Sequence, residues 1–438
     1  MGILIKILQV VMALALLVFV HELGHFLFAR LFKIRVNKFY LFFDIKGALL
    51  RYKPKHSHTE YGIGWLPLGG YCQIDGMVDE SLAIDGLQSE PKPWEFRSKP
   101  TWQRLLVMIG GVLFNLILAI LIYGGIAYHW GASRLPMESV GDHLTYTEVG
   151  HLMGLQDGDR PVAIDGKKIA YFDGRLVQQI ANGEVLTVER DGQQVEVAVP
   201  SDMMRALIRS KSPFFMLDLT ARIDTVLVGS IAEAIGFQKG DEIVAINGEK
   251  MNKLSRVMPA IQQGRGAIVT FEILRGDSLL DLQGVPDKEQ GLGVGFQPAS
   301  EQLEREEISY SLLEALPAGV VQASQQMVSY VDQLKYVATP EGASSLGGLG
   351  TIGSLFPARF NWYGFWNMTA FLSIILAVMN ILPIPGLDGG HIVFLIYEMI
   401  VGRAPSLKWQ TRFQMIGMIF LILLVLYANI NDIFRFLL

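Results

Sequence analysis

One helical turn separates His21 from His25 in the run His21-Glu22-Leu23-Gly24-His25, the first place in the sequence where chemistry can be read. On a helix, imidazoles at i and i+4 leave one face and can share a zinc ion, while the adjacent Glu suits a general base in peptide hydrolysis. The same spacing also fits an ordinary pair of helix-surface histidines. Context separates the two, because the motif sits inside an apolar stretch, residues 3–32. Placing two His and a Glu at membrane depth is costly unless they are paired or coordinated, so ionisable groups there point to function.

A catalytic zinc needs a third protein ligand and one open position. The best candidate is Asp388 in Asn380-Ile381-Leu382-Pro383-Ile384-Pro385-Gly386-Leu387-Asp388-Gly389-Gly390, the sole acidic residue between Tyr363 and Tyr397. Its prolines and glycines let the backbone bend and aim a short side chain into a cavity. His391 follows by three residues, and on a continuous helix it could approach the metal as well. Cys72 is the single cysteine, which excludes an intramolecular disulfide and a Cys-rich metal site. Any zinc must therefore rest on His and carboxylate, and Cys72 reads as an ordinary small apolar residue.

The elements that must position these groups are membrane spans. Of 438 residues 51% are hydrophobic, more than a soluble core of this length requires. Apolar stretches at 3–32, 105–128, 363–401 and 413–428 are each long enough to cross a bilayer. An N-terminal signal peptide is disfavoured, because no small-residue cleavage site follows the apolar run after Lys6. His21 falls roughly 27 Å along the first helix, near the far edge of the hydrocarbon. Pro383, Pro385 and Gly386 break the third stretch, and Asp388 reaches a comparable depth if both helices enter from one side. The segment between the first two spans carries Arg30, Lys33, Arg35, Lys38, Lys46, Arg51, Lys53 and Lys55, which makes it cytosolic by the positive-inside rule. Both termini and the long region 131–361 then lie outside. A net charge of −5 supplies no basic field for a polynucleotide, so nucleic acid is not an expected partner.

The long outer region contains a repeat. Gly154-Leu155-Gln156-Asp157-Gly158-Asp159 with Ala163-Ile164-Asp165-Gly166 recurs 82 residues later as Gly236-Phe237-Gln238-Lys239-Gly240-Asp241 with Ala245-Ile246-Asn247-Gly248. Each copy reads as a Gly turn, a strand and an Asp-Gly or Asn-Gly hairpin. The pattern resembles bacterial PDZ domains, which commonly bind an extended peptide at a sheet edge. Plain spacers are the other reading. Beyond the second copy, Leu312, Leu316, Val320, Met327, Val331 and Leu334 recur at helical spacing, which predicts an amphipathic helix docked on these domains or on the membrane surface.

HELGH in the first span together with NILPIPGLDGG in the third resembles the site-2 protease family of intramembrane metalloproteases. The two PDZ-like copies resemble its bacterial sigma-E-regulating subgroup, and the likeness extends to Pro67-Leu68-Gly69-Gly70-Tyr71 and to Gly111-x-x-x-Asn115. It implies that His21, His25 and Asp388 bind Zn2+ and that Glu22 activates water. It also implies that Asn380 and Asn115 line the site, and that Gly69, Gly70 and Tyr71 belong to a re-entrant β-hairpin receiving the substrate as a strand. Both asparagines could instead serve as polar glue between helices. Where relatives carry a Gly-Phe-Gly hairpin this chain has Leu41-Phe42-Phe43-Asp44-Ile45, and the insertion 81–93 looks longer than usual.

The expected fold is a polytopic α-helical membrane protein with four transmembrane helices, a re-entrant β-hairpin and two small PDZ-like domains. Its segments are 1–130 with the HELGH spans, 131–220 and 221–300 as PDZ-like domains, 301–360 as amphipathic helix and linker, and 361–438 as the last two spans. The expected activity is zinc-dependent cleavage of single-span membrane proteins such as anti-sigma factors or remnant signal peptides, in a bacterial inner membrane. The active site would face the cytosol and the outer domains would filter substrates by size. Expected partners are transmembrane substrates, the lipid bilayer and a peptide ligand of the PDZ-like domains. The alternative is a membrane PDZ receptor or adaptor with a structural zinc site, for which Glu22 has no use. A metal transporter would need more polar positions along its spans than these carry.

Overall fold

Apolar runs at membrane depth can satisfy their backbone only as helices or closed barrels, and this chain takes the helical solution. The computed structural model describes residues 2–67, 69–77, 90–210, 212–287, 289, 291–337, 339–340, 342 and 346–437. They fall into two units, Met1–Gly131 with Ser309–Leu438, and Ala132–Ile308. Most of the insertion expected at 81–93 lies outside the described residues.

Seven helices organise the first unit among the described residues: α1 (Gly2–Leu31), α2 (Thr101–Trp130), α3 (Leu312–Val337), α4 (Leu349–Leu355), α5 (Trp362–Ile381), α6 (Asp388–Val401) and α7 (Leu407–Leu437). Four of them, α1, α2, α5 and α7, are long and apolar enough to cross a membrane. The third apolar stretch is broken as its prolines require. Helix α5 stops at Ile381, and Pro383 and Pro385 offer no N–H to continue it. Helix α6 restarts at Asp388, three residues earlier than a start at His391 would give.

Small residues set how closely these helices approach. A Cβ on Gly24 of α1 would overlap the Gly110 carbonyl of α2, so that contact exists only because both positions are glycine. Helix α3 meets α2 in the same manner. A Cβ on Gly319 would stand 2.5 Å from the Gly124 nitrogen, and Ala315 and Ala323 are buried on the same face. The amphipathic helix expected on the outer domains or the membrane surface thus lies against α2, and Ala323 shares a core with Ala119, Tyr123, Ala370 and Ile374.

Between α1 and α2 the chain forms a sheet of β1 (Val36–Leu41), β2 (Phe43–Tyr52), β3 (Glu60–Leu66) and β4 (Tyr71–Ile74), in the order β2-β3-β1-β4. Strand β1 pairs parallel with β3 and antiparallel with β4, with Tyr40 opposite Tyr71 and Phe39 opposite Cys72. Phe42, between β1 and β2, takes φ 68°, a conformation that glycine adopts without strain.

The second unit shows what the repeat encodes. One lobe contains β5 (Arg160–Ile164), β6 (Lys167–Lys168), β7 (Val185–Arg190) and β8 (Gln193–Ala198), ordered β8-β7-β5-β6. The other repeats that order as β12-β11-β9-β10, with β9 (Glu242–Ile246), β10 (Glu249–Lys250), β11 (Val269–Arg275) and β12 (Ser278–Gly284). Asp165-Gly166 and Asn247-Gly248 both have positive φ at each residue, the conformation of a type I′ hairpin turn. The repeated Gly-x-Gln-x-Gly-Asp makes repeated bonds: Arg190 Nε donates to Asp159 at 2.7 Å, and Arg275 Nε donates to Asp241 at 2.7 Å. Each lobe has its own core, one around Leu144, Leu176 and Leu186, the other around Ile243, Val257 and Phe271. Asp218 joins the lobes, accepting from Thr145 Oγ1 and from Ser255 N and Oγ. The strand Glu306–Ile308 pairs with Ala132–Pro136, so this unit closes upon its own ends.

Candidate active site

The metal motif lies on the last third of α1, where the helix is covered by α2. His21 and His25 are both buried, and their Nε2 atoms are 3.2 Å apart. Room for the two rings comes from Gly111 on α2, where a Cβ would stand 2.5 Å from His25 Nε2 and 2.6 Å from His21 Cε1.

Each imidazole is oriented through its other nitrogen. His25 Nδ1 is 2.8 Å from the Val107 carbonyl, which can only accept, so Nδ1 carries the proton and Nε2 keeps a lone pair. The Asn115 amide lies 3.2 Å from His21 Nδ1 and is fully buried. Its Oδ1 has no hydrogen-bond partner when Nδ2 faces the ring. With the amide turned over, Oδ1 accepts from a His21 Nδ1 proton, and His21 Nε2 keeps a lone pair too.

Asp388 completes the cluster. Its Oδ2 is 3.1 Å from His21 Nε2 and 3.3 Å from His25 Nε2. That oxygen is buried yet makes no hydrogen bond of proper geometry. The two nitrogens and the carboxylate oxygen all lie within 4.8 Å of one another. Three lone pairs converging at a buried point are unfavourable without a cation, and two imidazoles with one carboxylate are a familiar donor set for zinc with a position left open. The residues present therefore fit that ion.

The turn ahead of Asp388 is tightly built. Gly386 has φ 88°, and a Cβ on Gly389 would overlap the Leu382 carbonyl. Ile384 N donates to the Leu382 carbonyl at 2.7 Å. His391, the other candidate ligand, is engaged elsewhere, with its Nε2 2.8 Å from the Gln414 amide nitrogen of α7.

Glu22 stays outside the cluster of His21, His25 and Asp388. The Cys72 backbone N–H on β4 lies near its carboxylate, so the candidate base sits beside the sheet. Asn380 is buried in the last turn of α5. Gly69 and Gly70 precede β4 and are packed tightly: a Cβ on Gly69 would stand 2.7 Å from the Phe43 ring, and one on Gly70 would stand 2.8 Å from Val18 of α1. Tyr71 opens β4, stacks on Tyr40 and Phe43, and donates to Asp44 Oδ1 at 2.9 Å. Sequence reasoning missed Val107, whose carbonyl leaves no trace in residue type, and Gln414, a lone polar residue in an apolar span.

The model of peptidase family M50 matches residues 9–424. The chain is 28% identical to the regulator of sigma-E protease RseP of Escherichia coli, over 97% of each chain. To the regulator of sigma E protease of Haemophilus influenzae it is 27% identical, over 97% of this chain and 98% of that one.

Proposed function

The chain belongs to peptidase family M50, the site-2 proteases, and is a zinc metalloendopeptidase; we propose that it cleaves single-span membrane proteins at membrane depth, with His21, His25 and Asp388 holding zinc and Glu22 as the base. The observation that carries the reading is the unsatisfied Asp388 Oδ2 facing two imidazole nitrogens, all on helices of an apolar bundle.

Zinc, when bound, supplies Lewis acidity that acidifies water and polarises the scissile carbonyl. Glu22 takes a proton from the attacking water as its oxygen bonds the carbonyl carbon, and returns it to the amide nitrogen as the C–N bond breaks. Val107 and Asn115 fix the imidazole tautomers that leave both Nε2 atoms free to bind. Asn380 steadies the substrate backbone or its carbonyl oxygen.

A helical substrate hides its carbonyls in hydrogen bonds, so cleavage requires local unwinding. Strand β4 is an outer strand of its sheet, and its Cys72 lies near Glu22. An unwound substrate added to it along Gly69, Gly70 and Tyr71 recovers backbone pairing beside the base. This is the role we assign to the re-entrant sheet.

The repeated lobes of Ala132–Ile308 act as paired PDZ domains on the opposite side of the membrane. They admit membrane proteins whose outer portion has already been removed, anti-sigma factors or remnant signal peptides among them. Two relatives carry the name regulator of sigma E protease, which supports this substrate class and an inner-membrane location. The lysines and arginines between α1 and α2 support a cytosolic active-site side.

The test is cleavage of a purified single-span polypeptide by the detergent-solubilised protein, with cut sites mapped by mass spectrometry. Cuts within the span that stop on chelation and return with Zn2+ support the reading. Cleavage insensitive to chelation, or confined to soluble flanks, contradicts it.

A further inference from the structure

We propose that Gln414, on the last span, is a positioning residue for the metal site: it clasps the turn that presents Asp388 and keeps His391 away from the metal. The inference rests on the reading of Asp388 as a zinc ligand.

Helix α7 exposes most of its apolar side chains, among them Ile416, Ile419, Leu423 and Leu426. Gln414 departs from that pattern, with 6% of its surface exposed. A buried amide at membrane depth must find partners, and Gln414 finds one on each side of Asp388. Its Oε1 accepts from the Gly386 N–H at 2.7 Å, and its Nε2 lies 2.8 Å from His391 Nε2.

The direction of these bonds follows from chemistry. A backbone N–H can only donate, so Oε1 must face Gly386 and Nε2 must face His391. His391 Nε2 therefore accepts, and the lone pair it would need for a metal is already in use.

The turn needs such a partner. Helix α5 has ended, Pro383 and Pro385 bring no N–H, and Gly386 sits at φ 88°, where the chain reverses. The Gly386 N–H thus points out of the turn, and the Gln414 oxygen receives it. One helical turn further along α7, Gly417 lies against Pro385 so closely that a Cβ there would overlap the proline carbonyl. The helix is therefore seated on the ligand turn at two successive positions.

The experiment compares purified full-length protein carrying Gln414→Met, which keeps side-chain volume and loses both bonds, with wild type and Asp388→Ala. Two quantities are read: the rate of zinc release to a chromophoric chelator, and the visible absorption of Co2+-substituted protein, which reports ligand geometry. Gln414→Met should release zinc about tenfold faster or more and shift the Co2+ bands, the size of effect typical of groups that orient a ligand. If Gln414→Met does not yield monodisperse protein, Gln414→Asn, one methylene too short to bridge both partners, is read in the same way. Wild-type release with unchanged bands, while Asp388→Ala loses zinc, overturns the role of Gln414 and leaves the ligand reading standing. Retention of zinc by Asp388→Ala overturns the ligand reading itself.

Discussion

Gly111 of α2 faces the imidazole of His25 so closely that a Cβ would stand 2.5 Å from its Nε2. The helix pair leaves space for the His21 and His25 rings at the cost of any side chain there. Gly111→Val should therefore displace both rings and reduce zinc affinity by at least about tenfold. Metal content of the purified variant after dialysis, alongside circular dichroism to show that the helices persist, checks this.

Asp388 and His391 separate cleanly. Asp388→Ala removes an oxygen lying within 3.3 Å of both Nε2 atoms, and zinc content should fall to a small fraction of wild type. His391→Ala leaves all three ligand atoms in place and should retain near-stoichiometric zinc. The reverse pattern would move the third ligand to His391.

Much of the site was legible because its chemistry is local. HELGH announces itself by helical spacing, and two prolines beside three glycines announce a break that delivers Asp388. The double lobe was legible from its 82-residue echo. What stayed hidden depends on partners distant in sequence. Nothing in the spacing of Leu312, Leu316 and Val320 says that α3 packs against α2, because that contact is made by Gly319 against Gly124. The pairing of Glu306–Ile308 with Ala132–Pro136 joins segments separated by the whole unit. Asn115, expected along the site, lies against His21, and no residue pattern distinguishes that from helix glue.

Excision of the second unit follows from its closure on itself. Ala132 pairs with Ile308, so their backbones are neighbours and a short linker can join residues 131 and 309. A cut at 131–297 would instead leave the strand Glu306–Ile308 without its partner. The protein lacking 132–308 should bind zinc, cleave a short single-span substrate, and also accept substrates with large outer domains that the full chain rejects. Zinc binding without cleavage of the short substrate would contradict the size-filter role.

Within that unit, Asp241 is fully buried and accepts from Arg275 at 2.7 and 2.8 Å. Asp241→Asn weakens two charge-assisted bonds and should destabilise the second lobe by about 2 kcal/mol. Proteolytic nicking between 221 and 300 should then accelerate by roughly 30-fold in the full chain, while zinc content stays unchanged.

Glu22 lies outside the His21–His25–Asp388 cluster and near the Cys72 N–H of β4, a placement for hydrolysis and not for metal binding. The most direct measurement compares membrane proteomes of cells carrying the intact protein and cells carrying Glu22→Gln, with zinc content determined on both purified proteins. Zinc should be equal in the two proteins, and shortened single-span fragments should accumulate only in the Glu22→Gln cells. Identical proteomes, together with wild-type cleavage by purified Glu22→Gln, would contradict it.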